Sequence, residues 1–422
     1  MYRFAHLADI HLGANQETAL AQLEIEAFLQ AMDTCVERSV DFILICGDLF
    51  QTTLPSDLGV VTQAAAKMRE VRDRGIPIFA IYGSHDYTPT GTSMIDVIEG
   101  AGLLTKVVRP RVDNGVLKLD YVEDGKTGAK LVGISARKMG LERNYYEILD
   151  REGLERIEGF KIFAFHSGLD EFKPAYLSPM ETIPLSLLPT GFNYYAGGHI
   201  HQKSVNRLQG YDHVVFPGPL FLGNARGRDL ESAAKGEERG FYIVSFDEEV
   251  RDIEFVKTRV IDGTYREFSV SGLNASQARL ELNEEISKLD VLNKMVVLKI
   301  KGELAGGKTT DIDFPGLRNL LNENGATSVH INRFGLTSNE YAAIKVRGED
   351  RSVIAERLFK ENIGTVKVNV LALQNASGVS LSLDLFKSLT RVKGGTETKT
   401  DYEQRMREDA FDILSLTEEL EE

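Results

Sequence analysis

Residues 42–48 read Phe42-Ile43-Leu44-Ile45-Cys46-Gly47-Asp48, which is five apolar residues followed by a glycine and an aspartate. An uninterrupted apolar run of this length is typical of a strand that is buried on both faces of a sheet. Similar apolar runs occur at 78–82, 131–134 and 162–165. Amphipathic stretches typical of helices occur between strands, at 18–38 and 57–74. The alternation of buried strands with helices predicts an α/β fold for residues 1–260.

Side chains that can bind metal ions follow these strands. In chain order the segments are Asp9-Ile10-His11, Gly47-Asp48, Gly83-Ser84-His85-Asp86, His166 and Gly198-His199-Ile200-His201. Loops at the carboxyl ends of strands converge in open α/β sheets, so these side chains are expected to meet in one site. Residues i and i+2 of an extended segment point to the same side, so Asp9 with His11, and His199 with His201, can each present two ligands.

The ligand types indicate the chemistry of this site. Imidazole and carboxylate ligands without thiolate favour Mn, Fe, Zn or Mg. The carboxylate of Asp48 has two oxygens and can bridge two cations, and two ions about 3.5–4 Å apart can clamp a phosphate and activate a water. Each motif alone is also common as a turn or as a core histidine. The ordered set, with each member after a strand, predicts a two-metal phosphoesterase centre.

The ordered set resembles the calcineurin-like metallophosphoesterases. Within them, residues 4–13, 45–50 and 197–201, the last followed by Phe216-Pro217-Gly218-Pro219, resemble the SbcD-type nucleases of DNA double-strand-break repair, an archaeal-style group of repair exonucleases. The resemblance implies a metallophosphoesterase β-sandwich flanked by helices, a smaller α+β capping domain and a helical C-terminal tail. It also implies a Mn-dependent exonuclease and single-strand endonuclease that works with an SbcC-type ABC ATPase on double- and single-stranded DNA.

The resemblance also assigns roles to single residues. One of two Mn²⁺ ions per chain, with Mg²⁺ or another divalent metal as the alternative, would be held by Asp9, His11, Asp48 and His201. The other would be held by Asp48, Ser84, His166 and His199. His85 would act as a general acid at the leaving oxygen, and Asp86 would orient His85. Ser84 replaces the asparagine of the family pattern, and its shorter side chain suggests a more weakly held second metal.

The rest of the chain predicts two further regions. Residues 264–373 show two strand–helix–strand passes, which we interpret as a separate α+β domain. The resemblance implies that it is a capping domain, which would help to select the shape of the DNA. The passes are 268–270, 274–289 and 296–300, then 343–346, 350–362 and 366–370. Residues 378–422 are predicted to be an amphipathic helical tail that docks on a partner, and the resemblance implies that this partner is the ATPase. Its candidate contacts are Leu381, Leu385, Phe386, Met406, Ile413 and Leu420, and a helix folding back on its own chain fits the same periodicity.

Further expectations concern DNA and a second copy of the chain. Basic residues near the motifs that could contact DNA phosphates are Arg137, Lys138, Arg226 and Arg228, although solvated loop charges would look the same. By resemblance, residues 57–74 and 92–104 would form a homodimer contact. The apolar stripe of the first segment is Val60, Val61, Ala64 and Met68, which core packing would also explain.

Composition limits the cellular setting. The net charge is −14, and half of it lies in residues 401–422, so the charge neither requires nor excludes a DNA partner. No apolar run is long enough to cross a membrane, and the motif residues begin too near Met1 to leave room for a targeting peptide. With only two cysteines, Cys35 and Cys46, a disulfide framework is not expected and a cytoplasmic location fits.

Two rival interpretations remain open at this point. The same metal pair could serve a phosphatase or a nucleotide phosphodiesterase, which differ from a nuclease in their substrates. Alternatively, the serine at 84 could mark a catalytically weakened scaffold subunit whose tail recruits partners. The segments around the motifs and the additional C-terminal regions favour the nuclease.

Overall fold

The computed structural model describes residues 1–88, 91–137, 140–174, 177, 181–339, 355–356, 358–360, 375–394 and 397–414. The chain is divided into two compact units, Met1–Tyr341 and Ala342–Glu422.

The first part of the first unit contains β1 (Tyr2–Leu7), α1 (Thr18–Glu37), β2 (Phe42–Cys46), α2 (Leu58–Asp73), β3 (Ile78–Ile81), α3 (Met94–Gly100), β4 (Thr105–Lys106), β5 (Pro110–Asp113), β6 (Val116–Leu119) and β7 (Val122–Glu123). It continues with β8 (Lys130–Ile134), α4 (Arg143–Glu147), α5 (Arg151–Glu155), β9 (Lys161–His166), β10 (Tyr194–Gly198), β11 (Ser204–Leu208), β12 (Tyr211–Phe216), α6 (Arg228–Ala234), β13 (Gly240–Phe246) and β14 (Val250–Lys257).

Twelve of these strands form two six-stranded sheets that pack face to face, and β5 and β6 pair with each other in a separate two-stranded sheet. The strand orders are β14-β13-β1-β2-β3-β4 in the first sheet and β11-β12-β10-β9-β8-β7 in the second. The buried side chains between them include Phe4 and Phe42 from the first sheet, and Tyr194 and Val215 from the second. Helices α1, α2 and α3 cover the outer face of the first sheet, and α4 and α5 pack on the second. The predicted helix-flanked β-sandwich is therefore confirmed.

Parallel pairing places the motif segments at one edge of the sandwich. Strands β1, β2 and β3 are parallel neighbours in one sheet, and β8, β9 and β10 are parallel neighbours in the other. Leu7 pairs with Ile45, and Gly198 pairs with His166, so the carboxyl ends of these strands lie side by side. The backbone that follows them is therefore held by two rigid sheets.

A third sheet follows within the first unit. It is built from β15 (Asp262–Ser269), α7 (Ala275–Ser287), β16 (Lys294–Leu304), α8 (Phe314–Glu323), β17 (Ser328–Asn332) and β18 (Leu336–Ser338). Strands β15, β16 and β17 are parallel, and α7 and α8 pack on the sheet through Leu282, Ile286 and Leu317. The first predicted strand–helix–strand pass is confirmed. The second, at 343–346, 350–362 and 366–370, lies outside the described residues apart from short helical pieces at 355–356 and 358–360.

Helix α8 and strand β17 were missed in the sequence. The segment before α8 has few helix-forming residues, but Asp313 caps the helix by accepting a hydrogen bond from the Gly316 amide at 2.9 Å. A proline in the first turn is also compatible with a helix, because the first amides have no partner within it. A capping aspartate before Phe314-Pro315 is thus the signal that could have predicted α8.

In the second unit, two helices lie against each other. Helix α9 (Asn375–Leu389) and helix α10 (Lys399–Leu414) are joined by hydrogen bonds from Ser388 and Arg391 to the Asp409 carboxylate, at 3.1 and 3.0 Å. The predicted helical tail therefore exists over these residues. Of its expected partner contacts, Phe386 is 40% exposed, while Leu381, Leu385, Met406 and Ile413 are half-buried. Leu420 lies outside the described residues.

Three further expectations can be compared with the structure. Val60, Ala64 and Met68 of α2 are buried against the first sheet and Val61 packs beside them, so this apolar stripe is core and not a free dimer surface. Cys35 and Cys46 are buried free thiols, as expected. Among the described residues, no helix combines the length and apolar character needed to cross a bilayer.

Candidate metal centre

Four of the candidate ligands have an unusual backbone conformation. Asp9, His11, Asp48 and His199 have φ values of 52°, 54°, 52° and 81°, in the left-handed region that residues with a side chain seldom adopt. The first two loops stabilise each other, because the Asp9 amide donates to the Gly47 carbonyl at 3.1 Å and the His11 amide to the Asp48 carbonyl at 2.9 Å. Such strain persists where surrounding structure enforces it, and it clusters at functional sites.

Asp48 lies between two histidines from different sheets. Its Oδ2 is 3.5 Å from Nε2 of His11 and 3.3 Å from Nε2 of His166. Its Oδ1 accepts a hydrogen bond from the His85 amide at 2.9 Å. A Cβ atom at Gly83 would collide with this carboxylate, so the loop can approach Asp48 only with glycine there. Asp48 is therefore placed to bridge two cations.

Asp9 occupies a similar position on the other side. Its Oδ1 is 3.7 Å from Nε2 of His201 and 3.9 Å from Nε2 of His166. Both oxygens lie within hydrogen-bond distance of the His199 amide, at 2.9 and 3.1 Å. One ligand atom from each of Asp9, His11 and His201 lies within 4.8 Å of the other two, and the same holds for Asp9, Asp48 and His166. A third group of the same kind is formed by His11, Asp48 and His85, so three overlapping groups of ligand atoms exist among the described residues.

The imidazole rings are oriented by acceptors on their outer nitrogens. Nδ1 of His166 donates to the Cys46 carbonyl at 2.7 Å, and Nδ1 of His11 lies 2.8 Å from Oε1 of Gln51. These contacts leave the Nε2 lone pairs directed at the carboxylates. Nε2 of His166 is fully buried and, among the described residues, has no assigned hydrogen-bond partner, although it lies 3.3 Å from Oδ2 of Asp48. A buried nitrogen without a hydrogen-bond partner fits a metal ligand.

The electrostatics of the centre also fit bound cations. Burial lowers the pKa of His11 and of His199 to about 3, so both rings are neutral and able to ligate. Burial also acts to lower the pKa of His166, but Asp48 and Asp9 overcome it and raise this pKa to about 10. Burial would raise the pKa of Asp48, and the positive charge of His166 instead holds it well below its usual range. The buried carboxylates thus attract a proton to His166, and a divalent cation would replace that charge.

His85 and Asp86 have different environments. Nδ1 of His85 donates to the Gln51 carbonyl at 2.8 Å, and the ring is only half-buried. The buried Asp86 carboxylate accepts hydrogen bonds from the main-chain amides of Gly83, Leu49 and Phe50 at 3.0, 3.2 and 3.0 Å. The expectation that Asp86 orients the His85 ring is therefore corrected. Asp86 ties the two ligand-bearing loops together, and the Gln51 carbonyl holds the ring.

Two clefts open from the centre, and Ser84 and His199 line both. The larger, of about 970 Å³, is also lined by His166, Arg137 and Arg143. The smaller, of about 400 Å³, is lined by a further set of residues that includes His11, Asp48, His85, His201, Arg226 and Arg228. Arg137 stacks on the Tyr87 ring, with its guanidinium carbon 4.0 Å from the ring centroid. Three of the four candidate DNA contacts therefore adjoin the centre, and Lys138 lies outside the described residues.

Sequence reasoning missed two residues that hold histidines. Gln51 follows the Gly47-Asp48 motif by three residues and contacts both His11 and His85. Asp229 accepts a hydrogen bond from Nδ1 of His201 at 2.8 Å, although it lies 28 residues away. The proximity of Gln51 to the motif was a usable signal. No pattern in the sequence marks Asp229.

Comparisons with known proteins agree with this geometry. The model of the Calcineurin-like phosphoesterase family matches residues 2–203. The chain is 27% identical over 298 residues to the DNA double-strand break repair protein Mre11 of Archaeoglobus fulgidus, which covers 64% of this chain and 63% of the relative. Against the Mre11 of Methanococcus maripaludis the identity is 27% over 257 residues, covering 57% and 62%. The chain thus spans just under two thirds of the length of these relatives.

A solved structure, a dimetal phosphatase from Danio rerio, superposes with a TM-score of 0.37 and 9% identity, over 61% of this chain and 97% of that one. A likeness this weak supports no argument. The family match is different, because its range contains every motif of the centre, from Asp9 to His201. Residues 2–203 of the chain therefore form a calcineurin-like metallophosphoesterase domain.

Proposed function

We propose that the chain is a metal-dependent DNA nuclease of double-strand-break repair, with exonuclease and single-strand endonuclease activity. The observation that carries the proposal is the buried centre in which Asp48 lies between His11 and His166, at 3.5 and 3.3 Å. The clefts that open from it are lined by Arg137, Arg226 and other basic residues. The names of the two relatives, DNA double-strand break repair proteins, support the substrate class.

The proposed cofactors are two Mn²⁺ ions per chain, with Mg²⁺ or another divalent metal as the alternative. The first ligand set is Asp9, His11, Asp48 and His201, and the second is Asp48, Ser84, His166 and His199. Bound there, divalent cations would supply Lewis-acid activation of a water and positive charge for the phosphate. The protein contributes the fixed orientation of the rings and carboxylates, which the hydrogen bonds to Gln51 and Cys46 establish.

His85 is the proposed general acid. Its Nδ1 carries a proton because the Gln51 carbonyl can only accept a hydrogen bond. A ring that also carries a proton on Nε2 can transfer that proton to the leaving oxygen as the P–O bond breaks, and the proton that the attacking water loses returns the ring to its starting state. Water supplies the new P–O bond, so each hydrolysis leaves one hydroxyl end and one phosphate end.

Cationic side chains would position the DNA backbone. Arg226 and Arg228 are exposed at the mouth of the smaller cleft, and Arg137 lines the larger one. Arginines bind phosphate oxygens through paired N–H groups, which fixes a strand without reading its sequence. We further propose that residues 264–373 form a capping domain next to a nuclease domain of residues 1–260, and that it selects the shape of the DNA.

The proposed partners are an SbcC-type ABC ATPase and a second copy of the chain, in the cytoplasm. Residues 378–422 are the proposed ATPase-docking tail, because Phe386 and Leu389 of α9 are 40% and 55% exposed. For the homodimer, Leu58 of segment 57–74 and Val97 of segment 92–104 offer apolar surface, being 64% and 52% exposed. The homodimer contact through segments 57–74 and 92–104 therefore stays a proposal, and these exposed residues support it in place of the buried stripe.

The test compares the full chain with its His85→Ala variant on two substrates in the presence of Mn²⁺. One is linear duplex DNA and the other is a small phosphomonoester. His213→Ala, in β12 of the second sheet, is the matched histidine control. Degradation of DNA that only His85→Ala loses, with little release of phosphate from the monoester, is the expected result.

The other outcomes identify the rival functions. Turnover of the monoester without DNA degradation would replace the nuclease with a phosphatase. Binding of Mn²⁺ without hydrolysis of either substrate, also after addition of the partner ATPase, would favour the scaffold interpretation. DNA degradation that survives in His85→Ala would remove the acid role from His85 while leaving the nuclease in place.

A further inference from the structure

We infer that Asp229 is a positioning residue for His201, and that helix α6 connects this pair to the third sheet. The inference rests on the two-metal centre proposed above. It adds a residue outside the ligand set and a route by which the third sheet acts on metal binding. The argument starts from one hydrogen bond and follows the contacts outward.

The first step is the contact between the two side chains. Oδ2 of Asp229 lies 2.8 Å from Nδ1 of His201, and both side chains are largely buried. A carboxylate at this nitrogen fixes the ring orientation and places the lone pair on Nε2. That atom lies 3.2 Å from Nε2 of His11 and 3.7 Å from the Asp9 carboxylate. A partner of this kind also makes the ring a stronger metal ligand.

The second step is the support behind Asp229. The buried guanidinium of Arg239 donates to the main-chain carbonyls of His201 and Asp229, at 3.4 and 3.3 Å. It also donates to the Ser232 hydroxyl one turn further along α6. A planar guanidinium that holds both residues limits their relative movement. A Cβ atom at Gly223 would strike the His201 ring and the Asp229 carboxylate, so the loop before α6 closes tightly around the pair.

The third step leads from α6 to the third sheet. Leu230 and Ala234 pack in one cluster with Met295 and Val297 of β16. Glu231 accepts a hydrogen bond from Asn332 of β17 at 2.5 Å. Its second oxygen lies 3.6 Å from the Lys299 ammonium of β16. Asp229 and the residues that hold the third sheet thus lie on the same seven-residue helix.

A short helix with these contacts moves as one piece. When the third sheet shifts, α6 is expected to shift with it and to change the contact between Asp229 and His201. The affinity of the metal centre then depends on the position of the third sheet. The structure thereby assigns α6 a role in coupling, with Asp229 at one end and Glu231 at the other.

The first experiment measures Mn²⁺ binding to the full chain by the decrease in the electron paramagnetic resonance signal of free Mn²⁺. The variants are Asp229→Asn, Asp229→Glu and, as a matched control, the exposed Glu237→Gln. We expect Asp229→Asn to weaken one of the two sites about 10-fold or more. Asp229→Glu should restore part of the affinity, and Glu237→Gln should leave it unchanged.

The second experiment tests the coupling. Asn332→Ala removes the hydrogen bond to Glu231 without touching the centre, and it should weaken Mn²⁺ binding about 3-fold in the wild type, within the usual range of coupling energies. In the Asp229→Asn background the same change should have no effect. Equal effects in both backgrounds, or none in either, would overturn the coupling.

The outcomes separate the inference from the proposed function. If the wild type binds fewer than two Mn²⁺ ions, the two-metal centre itself fails. If the wild type binds two ions and Asp229→Asn binds them equally well, the positioning role fails alone. Thermal unfolding without metal distinguishes general damage, because a purely structural role would lower the melting temperature of Asp229→Asn without a selective loss at one site.

Discussion

Nδ1 of His11 lies 2.8 Å from the side-chain amide oxygen of Gln51, so a residue on one loop sets the orientation of a candidate ligand on another. The main-chain carbonyl of Gln51 separately holds the ring of His85, also at 2.8 Å. One residue therefore serves both the metal centre and the proposed acid, by two different groups. Only the side-chain contact can be removed by substitution.

Replacement of Gln51 by leucine is expected to weaken Mn²⁺ binding about 10-fold, because His11 loses the acceptor that fixes its ring. The carbonyl that holds His85 remains, so DNA cleavage at saturating Mn²⁺ should stay within about 3-fold of the wild type. Titration calorimetry and a cleavage assay measure the two quantities. Gln22→Leu, at an exposed position on α1, is the control. An equal loss of both properties would contradict the separation of roles.

Replacement of Ser84 by asparagine is expected to lower the Mn²⁺ concentration needed for half-maximal activity. Ser84 lines both clefts beside His199, and its hydroxyl is shorter than an amide and reaches less far toward a second metal. Ser84→Ala should raise the requirement further, because it removes the oxygen altogether. A metal titration of the three proteins measures the effect. Identical curves would show that position 84 does not contribute to the second site.

Bound Mn²⁺ is expected to stabilise the folded chain. A ligand that binds only the native state adds about 2.7 kcal/mol to the free energy of unfolding at a concentration 100 times its Kd. Asp48→Asn should abolish most of this gain, since Asp48 lies between His11 and His166. Differential scanning calorimetry with Mn²⁺ or with EDTA measures it. A Mn²⁺-dependent rise in melting temperature that persists in Asp48→Asn would place the ions elsewhere.

The buried carboxyl group of Glu24 gives the stability a pH dependence. Burial raises its pKa from 4.5 to about 7, against hydrogen bonds from the Gly13 and Asn15 amides that act to lower it. The folded state therefore binds the proton more tightly than the unfolded state. The resulting contribution, about 3 kcal/mol at most, is present below pH 4.5 and is lost as the pH rises through 7.

Glu24→Gln removes this titration, so its free energy of unfolding should fall less than that of the wild type between pH 4.5 and 7. Urea denaturation at a series of pH values measures the slope. Glu26→Gln, an exposed position on the same helix, is the control. Parallel profiles for Glu24→Gln and the wild type would contradict the raised pKa.

The strands and the ligand motifs were predictable because each is determined by residues that are neighbours in the sequence. The apolar run Phe42–Cys46 indicates a buried strand, and its neighbour Asp48 then occupies the sheet edge whatever the rest of the chain does. The position of His166 followed from the same rule, since it ends β9. Because these strands pair in parallel, their carboxyl ends lie side by side, and the motifs that follow them meet in one site.

The parts that could not be predicted depend on three-dimensional partners. The role of Asp229 depends on which ring nitrogen of His201 faces it. The two residues are 28 positions apart in the sequence, so the contact could not be predicted from a local pattern. Asp86 has the same limitation, because its acceptors could serve His85 or main-chain amides equally well. The stripe of Val60 and Met68 on α2 has the periodicity of any amphipathic helix, and only packing shows that it faces the core.

The left-handed backbone at His199, where φ is 81°, has a consequence for the history of such chains. A side chain in this conformation costs about 1 kcal/mol, and glycine would avoid that cost. A copy released from selection for activity would therefore be relieved of this backbone cost by acquiring glycine at this position. Among relatives, glycine in place of His199 would then mark a chain that has lost its second metal while its fold persists.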